Sequence, residues 1–103
     1  MTRVVFTLHY AETAIFQFEQ LEKSKHLKAQ YKAVCKALRL LTQNPKHPGL
    51  HTHEYSSLIG PGKSKVWEAY AQNRTPGAYR IFFSYYPPKS NTIHILAIVP
   101  HPK

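Results

Sequence analysis

The apolar positions change period once along the chain, dividing it into a helical first half and a β-rich second half. Arg3-Val4-Val5-Phe6-Thr7-Leu8 is short, β-branched and apolar and predicts an opening strand. Over residues 11–21 the period is helical, with Ile15, Phe18 and Leu21 three apart. Residues 22–26 are polar and predict a turn. Leu27, Tyr31, Val34, Leu38 and Leu41 then follow at spacings of four and three, the stripe of a second helix, and Lys25, Lys28, Lys32, Lys36 and Arg39 fall largely off it. Proline has no backbone N–H and restricts the residue before it, so this helix must end near Asn44-Pro45.

Beyond Pro48-Gly49 the pattern alternates. Residues 50–58 form a weak, histidine-rich strand, residues 60–64 a Gly/Pro loop, and residues 65–72 and 78–86 two strands split by Thr75-Pro76-Gly77. Residues 87–91 turn the chain into a last strand, 92–99, with Ile93, Ile95, Ala97 and Val99 on one side and Leu96 and Ile98 on the other. Apolar residues on both sides predict an interior strand. The fold class is therefore α+β, an N-terminal strand and αα-hairpin packed on an antiparallel β-sheet, in one domain over residues 1–103. Strand parity puts Trp67, Tyr79, Ile81 and Phe83 under the helices. Glu68, Tyr70 and Arg80 fall on the opposite, more open face, with the register between the two strands undetermined.

Charge changes this picture most. Fourteen Lys and Arg against five acidic residues give a formal net charge of +9. Such an imbalance attracts phosphates or an acidic protein, although a basic balance is also compatible with a plain soluble domain. Cys35 is the only cysteine, so no disulfide within the chain and no cysteine metal cluster can form, and its place in a helical pattern suits a small hydrophobe. No apolar run is long enough to span a membrane and the N-terminus lacks signal-peptide architecture, so the expected location is cytoplasmic. Within this basic chain Arg80 stands out. It interrupts an aromatic strand, and an arginine there needs either water or an anion.

The element order, the basic charge and four segments together resemble the RelE/ParE toxin superfamily of type II toxin–antitoxin modules. The segments are Val66-Trp67-Glu68-Ala69-Tyr70, Ala78-Tyr79-Arg80-Ile81-Phe82-Phe83, Ile93-His94-Ile95-Leu96-Ala97-Ile98 and Pro100-His101-Pro102. The resemblance covers nearly the whole chain and favours the RelE-like branch, whose members cut mRNA in the ribosomal A site. ParE-like members inhibit DNA gyrase by binding it, and a non-catalytic RNA-binding remnant is a third reading; fold alone does not separate them.

The resemblance implies a metal-independent endoribonuclease without cofactor, with mRNA, the ribosome and a cognate acidic antitoxin as partners. RNA cleavage of this kind needs a base for the 2′-hydroxyl, positive charge for the phosphorane-like transition state and an acid for the leaving 5′-oxygen. By position, Arg80 would hold the phosphate, with a fixed fork that suits two phosphate oxygens. His101 matches the histidine or arginine that follows the last strand, and would be acid or base. Glu68 would act as base or orient Arg80, with an ordinary Glu68–Arg80 ion pair as the plain alternative. His51, His53 and Glu54 lie where some members place a carboxylate base, and His51 and His53 together make a two-histidine metal site conceivable, although no third ligand is evident. Lys63, Lys65, Arg74, Lys89 and Lys103 would grip RNA backbone. Several members carry a tyrosine after the basic or histidine residue. Here Pro102-Lys103 follows, and Tyr70, Tyr85 or Tyr86 would supply base stacking instead.

Overall fold

A computed structural model describes residues 5–75 and 77–101. Arg3 and Val4 of the opening strand, Pro76 of the hairpin turn, and Pro102 and Lys103 lie outside the described residues. The order of elements is β1 (Thr7–Tyr10), α1 (Glu12–Lys23), α2 (Lys28–Gln43), a 3₁₀ turn (Pro48–Leu50), β2 (His53–Ile59), a second 3₁₀ turn (Pro61–Lys63), β3 (Lys65–Tyr70), β4 (Tyr79–Tyr85) and β5 (Thr92–Pro100). The strands form one sheet in the order β1-β5-β4-β3-β2. β3, β4 and β5 pair antiparallel with their neighbours, as does β2, whereas β1 runs parallel to β5, so the sheet is mixed. A parallel pair needs a crossover, and the αα-hairpin between β1 and the rest of the sheet provides it.

The second helix follows its apolar stripe. Val34, Leu38 and Leu41 are buried with Ala37 between them, and Leu27 and Tyr31 pack against the same cluster. It stops at Asn44, one residue before Pro45. The first helix departs from its stripe, because Ala14 and Leu21 are the buried residues and Ile15 is exposed. The reason is close approach to the sheet: small Ala14 fits against it, and Gln17 Oε1 accepts the Ile98 N–H at 2.8 Å. That bond occupies the outer edge of β5 beyond Ile95, the last residue that β1 pairs.

β5 is interior, as its two apolar sides required, but its parity is not continuous. A register shift lies between Phe82 and Phe83, where Phe82 pairs with Ala97 and Phe83 with Ile95. The extra residue, Leu96, reverses the alternation, so the core receives Ile93, Ile95 and Ile98 rather than the expected Ile93, Ile95, Ala97 and Val99. Between β3 and β4 the register is Trp67↔Phe83, Glu68↔Phe82, Ala69↔Ile81 and Tyr70↔Arg80. Ala69, Ile81 and Phe83 are buried under the helices, and Trp67 and Tyr79 pack against them.

The opposite face is not open. Glu68, Arg80, Phe82 and Ser84 are all buried there. The cover comes from β2, whose pairing with β3 is irregular between Glu54 and Ile59. Such an irregularity bends a strand. The Tyr55 ring lies 4.9 Å from that of Phe82. Gly60 sits so close to Ser84 Oγ that a side chain at position 60 would collide with it.

Candidate functional site

Glu68 and Arg80 meet on this second face near the end of β3. Each side chain is less than a tenth exposed, and Arg80 Nε lies 3.7 Å from Glu68 Oε2. That is an ion pair but too long for a hydrogen bond, and among the described residues Arg80 Nε has no hydrogen-bond partner. Arg80 Nη1 donates to the Gln72 carbonyl at 2.7 Å, just past the end of β3. The guanidinium carbon stands 3.7 Å from the centre of the Tyr70 ring, a cation–π contact made possible by the Tyr70↔Arg80 register.

His53 completes the cluster. Its Nε2 is 2.7 Å from Glu68 Oε1, and its Nδ1 is 2.9 Å from the His51 carbonyl oxygen. Both ring nitrogens thus face acceptors, and both hydrogen bonds form only when the ring carries two N–H groups. His51 and His53 also both flank Tyr70, at 5.5 and 5.6 Å between ring centres. His51 precedes β2 in a left-handed conformation, so the strand alternation expected of these two histidines does not reach it; both rings lie against Tyr70, and His53 turns toward Glu68. The sequence reading missed this His53–Glu68 contact. The signal was present in the alternation of β2 and β3, but using it required the pairing His53↔Glu68.

His101 is exposed, and its backbone N–H donates to the Ala78 carbonyl at 2.7 Å. Since Arg80 pairs with Val99, His101 shares the parity of Val99 and falls at the same end of the sheet as Arg80. Tyr70, Arg80, His51, His53 and Glu68 form one connected cluster along β3 and the first half of β4, with Arg74 in the adjoining hairpin turn; His101 is tied to the start of β4 through its backbone bond to the Ala78 carbonyl. Lys63, Lys65 and Lys89 gather at the other end, in or beside the turns that flank Tyr85. Lys65 Nζ is 3.8 Å from Glu54, in an exposed pair that holds little energy. β4 spans roughly 20 Å, so the basic residues named as RNA contacts form two groups rather than one track. Lys103 lies outside the described residues.

This α+β architecture, an αα-hairpin on a five-stranded mixed sheet, is shared with a solved structure. The chain is similar to the YoeB dimer from Staphylococcus aureus, with a TM-score of 0.59 over 98% of this chain and 100% of that one, at 11% sequence identity. At that identity the likeness is one of fold, and it is the fold that the RelE/ParE resemblance implied. No protein-family model and no curated protein matches the chain. Among the described residues, no helix is long and apolar enough to cross a membrane.

Proposed function

We propose that this chain is the toxin of a type II toxin–antitoxin pair, a RelE-like, ribosome-dependent mRNA endonuclease of the RelE/ParE superfamily. The observation that supports this most is the contact of Arg80, Tyr70 and His53 on one face of the sheet, with His101 following β5 beside the start of β4, in a fold that spans the full length of the YoeB chain. In the proposed reaction a 2′-hydroxyl attacks the adjacent phosphate, the P–O5′ bond breaks, and a cyclic phosphate and a 5′-hydroxyl result. Arg80 supplies positive charge to the phosphate, His101 moves a proton as acid or base, and Glu68 holds or orients Arg80. The basic surface attracts the mRNA phosphates and, in the resting complex, an acidic antitoxin segment that folds on contact.

The burial of Arg80 favours a second reading. An arginine held by Glu68, Gln72 and Tyr70 is also a structural element, as a ParE-like inhibitor acting through protein contact would allow. Primer extension on mRNA after induced expression separates the two. Discrete cuts within codons are expected, and they should be lost in His101→Ala, whose exposed side chain is not needed for folding. Intact mRNA together with inhibited gyrase supercoiling would replace the nuclease by the gyrase inhibitor. If Arg80→Ala and His101→Ala arrest translation as strongly as the unaltered protein, the mechanism is wrong.

A further inference from the structure

A cavity of about 700 Å³ opens where α2 ends, on the helix side of the sheet. Its walls are aromatic: Phe6, Trp67 and Tyr85 line it, with Tyr85 tilted against Phe6 at 6.2 Å and edge-on to Trp67 at 6.1 Å between ring centres. Asn44, Lys46 and Thr52 supply the polar atoms. Asn44 Oδ1 accepts the Lys46 backbone N–H at 3.0 Å, which commits the carbonyl and keeps the amide NH₂ as donor. Thr52 Oγ1 donates to the Pro45 carbonyl at 2.7 Å and keeps its lone pairs as acceptors. Burial pushes the Tyr85 phenol up, so this ring stays neutral in the groove. Among the described residues no carboxylate lines the cavity, although Glu54 is the cross-strand partner of Trp67 and lies 3.8 Å from Lys65 Nζ.

Flat aromatic walls, one donor, one acceptor and an exposed cation without an opposing acid match the chemistry of a nucleotide. Every nucleobase has a π-face for Trp67 or Tyr85, mixed donors and acceptors on its edge, and a phosphate for Lys46. The volume falls within the range of small-molecule sites. We propose that this groove binds a nucleobase with its phosphate, separately from the Arg80 cluster. Arg80 and Tyr85 lie on opposite faces of β4 and ~17 Å apart along it, so one mononucleotide cannot occupy both. The nucleotide can be free or one residue of single-stranded RNA. Lys63, Lys65 and Lys89 stand at this same end of the sheet, where a continuing strand would meet them.

Trp67 is the only tryptophan, so its fluorescence reports directly on the groove. Adenosine monophosphate and a short single-stranded oligoribonucleotide are titrated against the full chain. The expected result is saturable quenching by both, at least tenfold weaker in Lys46→Glu, an exposed position where folding is not at stake. Lys63→Gln with Lys89→Gln should weaken only the oligonucleotide, if a strand is the ligand, and neither, if free nucleotide is. His101→Ala should leave the quenching unchanged even where it abolishes mRNA cleavage, so the groove and the proposed nuclease stand or fall apart. Absence of quenching by either ligand, or quenching indifferent to Lys46→Glu, overturns the proposal. So does a shift of Trp67 emission with protein concentration alone, which would mean that a second copy fills the groove.

Discussion

The two faces of the β3–β4 hairpin are buried to nearly the same degree by different physics. Toward the helices lie Ala69, Ile81 and Phe83, joined by Ile93, Ile95 and Ile98 from β5. Away from them lie Glu68, Arg80 and Ser84, with Phe82 under Tyr55. The first face is held by non-directional burial, in which volume matters more than the identity of any one contact. The second is held by directed bonds: Glu68 to His53, Arg80 to the Gln72 carbonyl, and Ser84 Oγ to the Lys65 carbonyl at 2.8 Å. Packing carries the fold on one side, while the other spends its burial on fixing a charged constellation in place.

The largest effect should come from the packing side. Phe83 is fully buried and touches Tyr85 as well as the helical layer, so Phe83→Ala should cost about 4 kcal/mol, read as a drop in the denaturation midpoint at unchanged slope. A cost below ~1 kcal/mol would mean that the helices are not packed tightly on this face. On the polar side, Glu68→Ala should cost about 3 kcal/mol, because it leaves the Arg80 guanidinium buried without its carboxylate. The discriminating variant is the double replacement Glu68→Leu with Arg80→Met. If the polar face exists for its chemistry rather than for stability, the double variant should recover most of that loss in denaturation while lacking the mRNA cleavage proposed above. A double variant as unstable as the single one would show that the pair is needed to hold β2 over the sheet.

The difference between the faces also explains what was legible beforehand. The apolar layer could be read from period alone, because a stripe such as Val34, Leu38 and Leu41, or an alternation such as Ile81 and Phe83, needs no knowledge of partners. It failed only where local geometry broke the period, at Leu96, whose bulge swaps Ile98 for Ala97, and at Ala14, where close approach favours a small residue over Ile15. The polar face was legible only in part. Parity correctly set Glu68, Tyr70 and Arg80 apart from the helices. Their burial depends on β2 bending over β3 and β4, a long-range pairing that no local pattern encodes, and the His53–Glu68 contact depends on the same register.

The smallest effect tests whether the charged constellation is rigid or merely enclosed. Tyr70 is only half-buried, and its ring carries Arg80 against one face while His51 and His53 crowd its edge and flank. Tyr70→Leu keeps apolar volume but removes the π-face, which should cost about 1 kcal/mol of stability through the lost cation–π contact. Its activity should fall by more than this stability change implies. Arg80 would keep Glu68 and the Gln72 carbonyl but lose the surface that fixes the plane of its fork, and the phosphate contact proposed for Arg80 depends on that plane. Tyr70→Phe retains the ring and should behave as the unaltered protein in both measurements. Equal losses in Tyr70→Phe and Tyr70→Leu would shift the role of Tyr70 from its ring to its hydroxyl, and no loss in either would leave Arg80 held by Glu68 and the backbone alone.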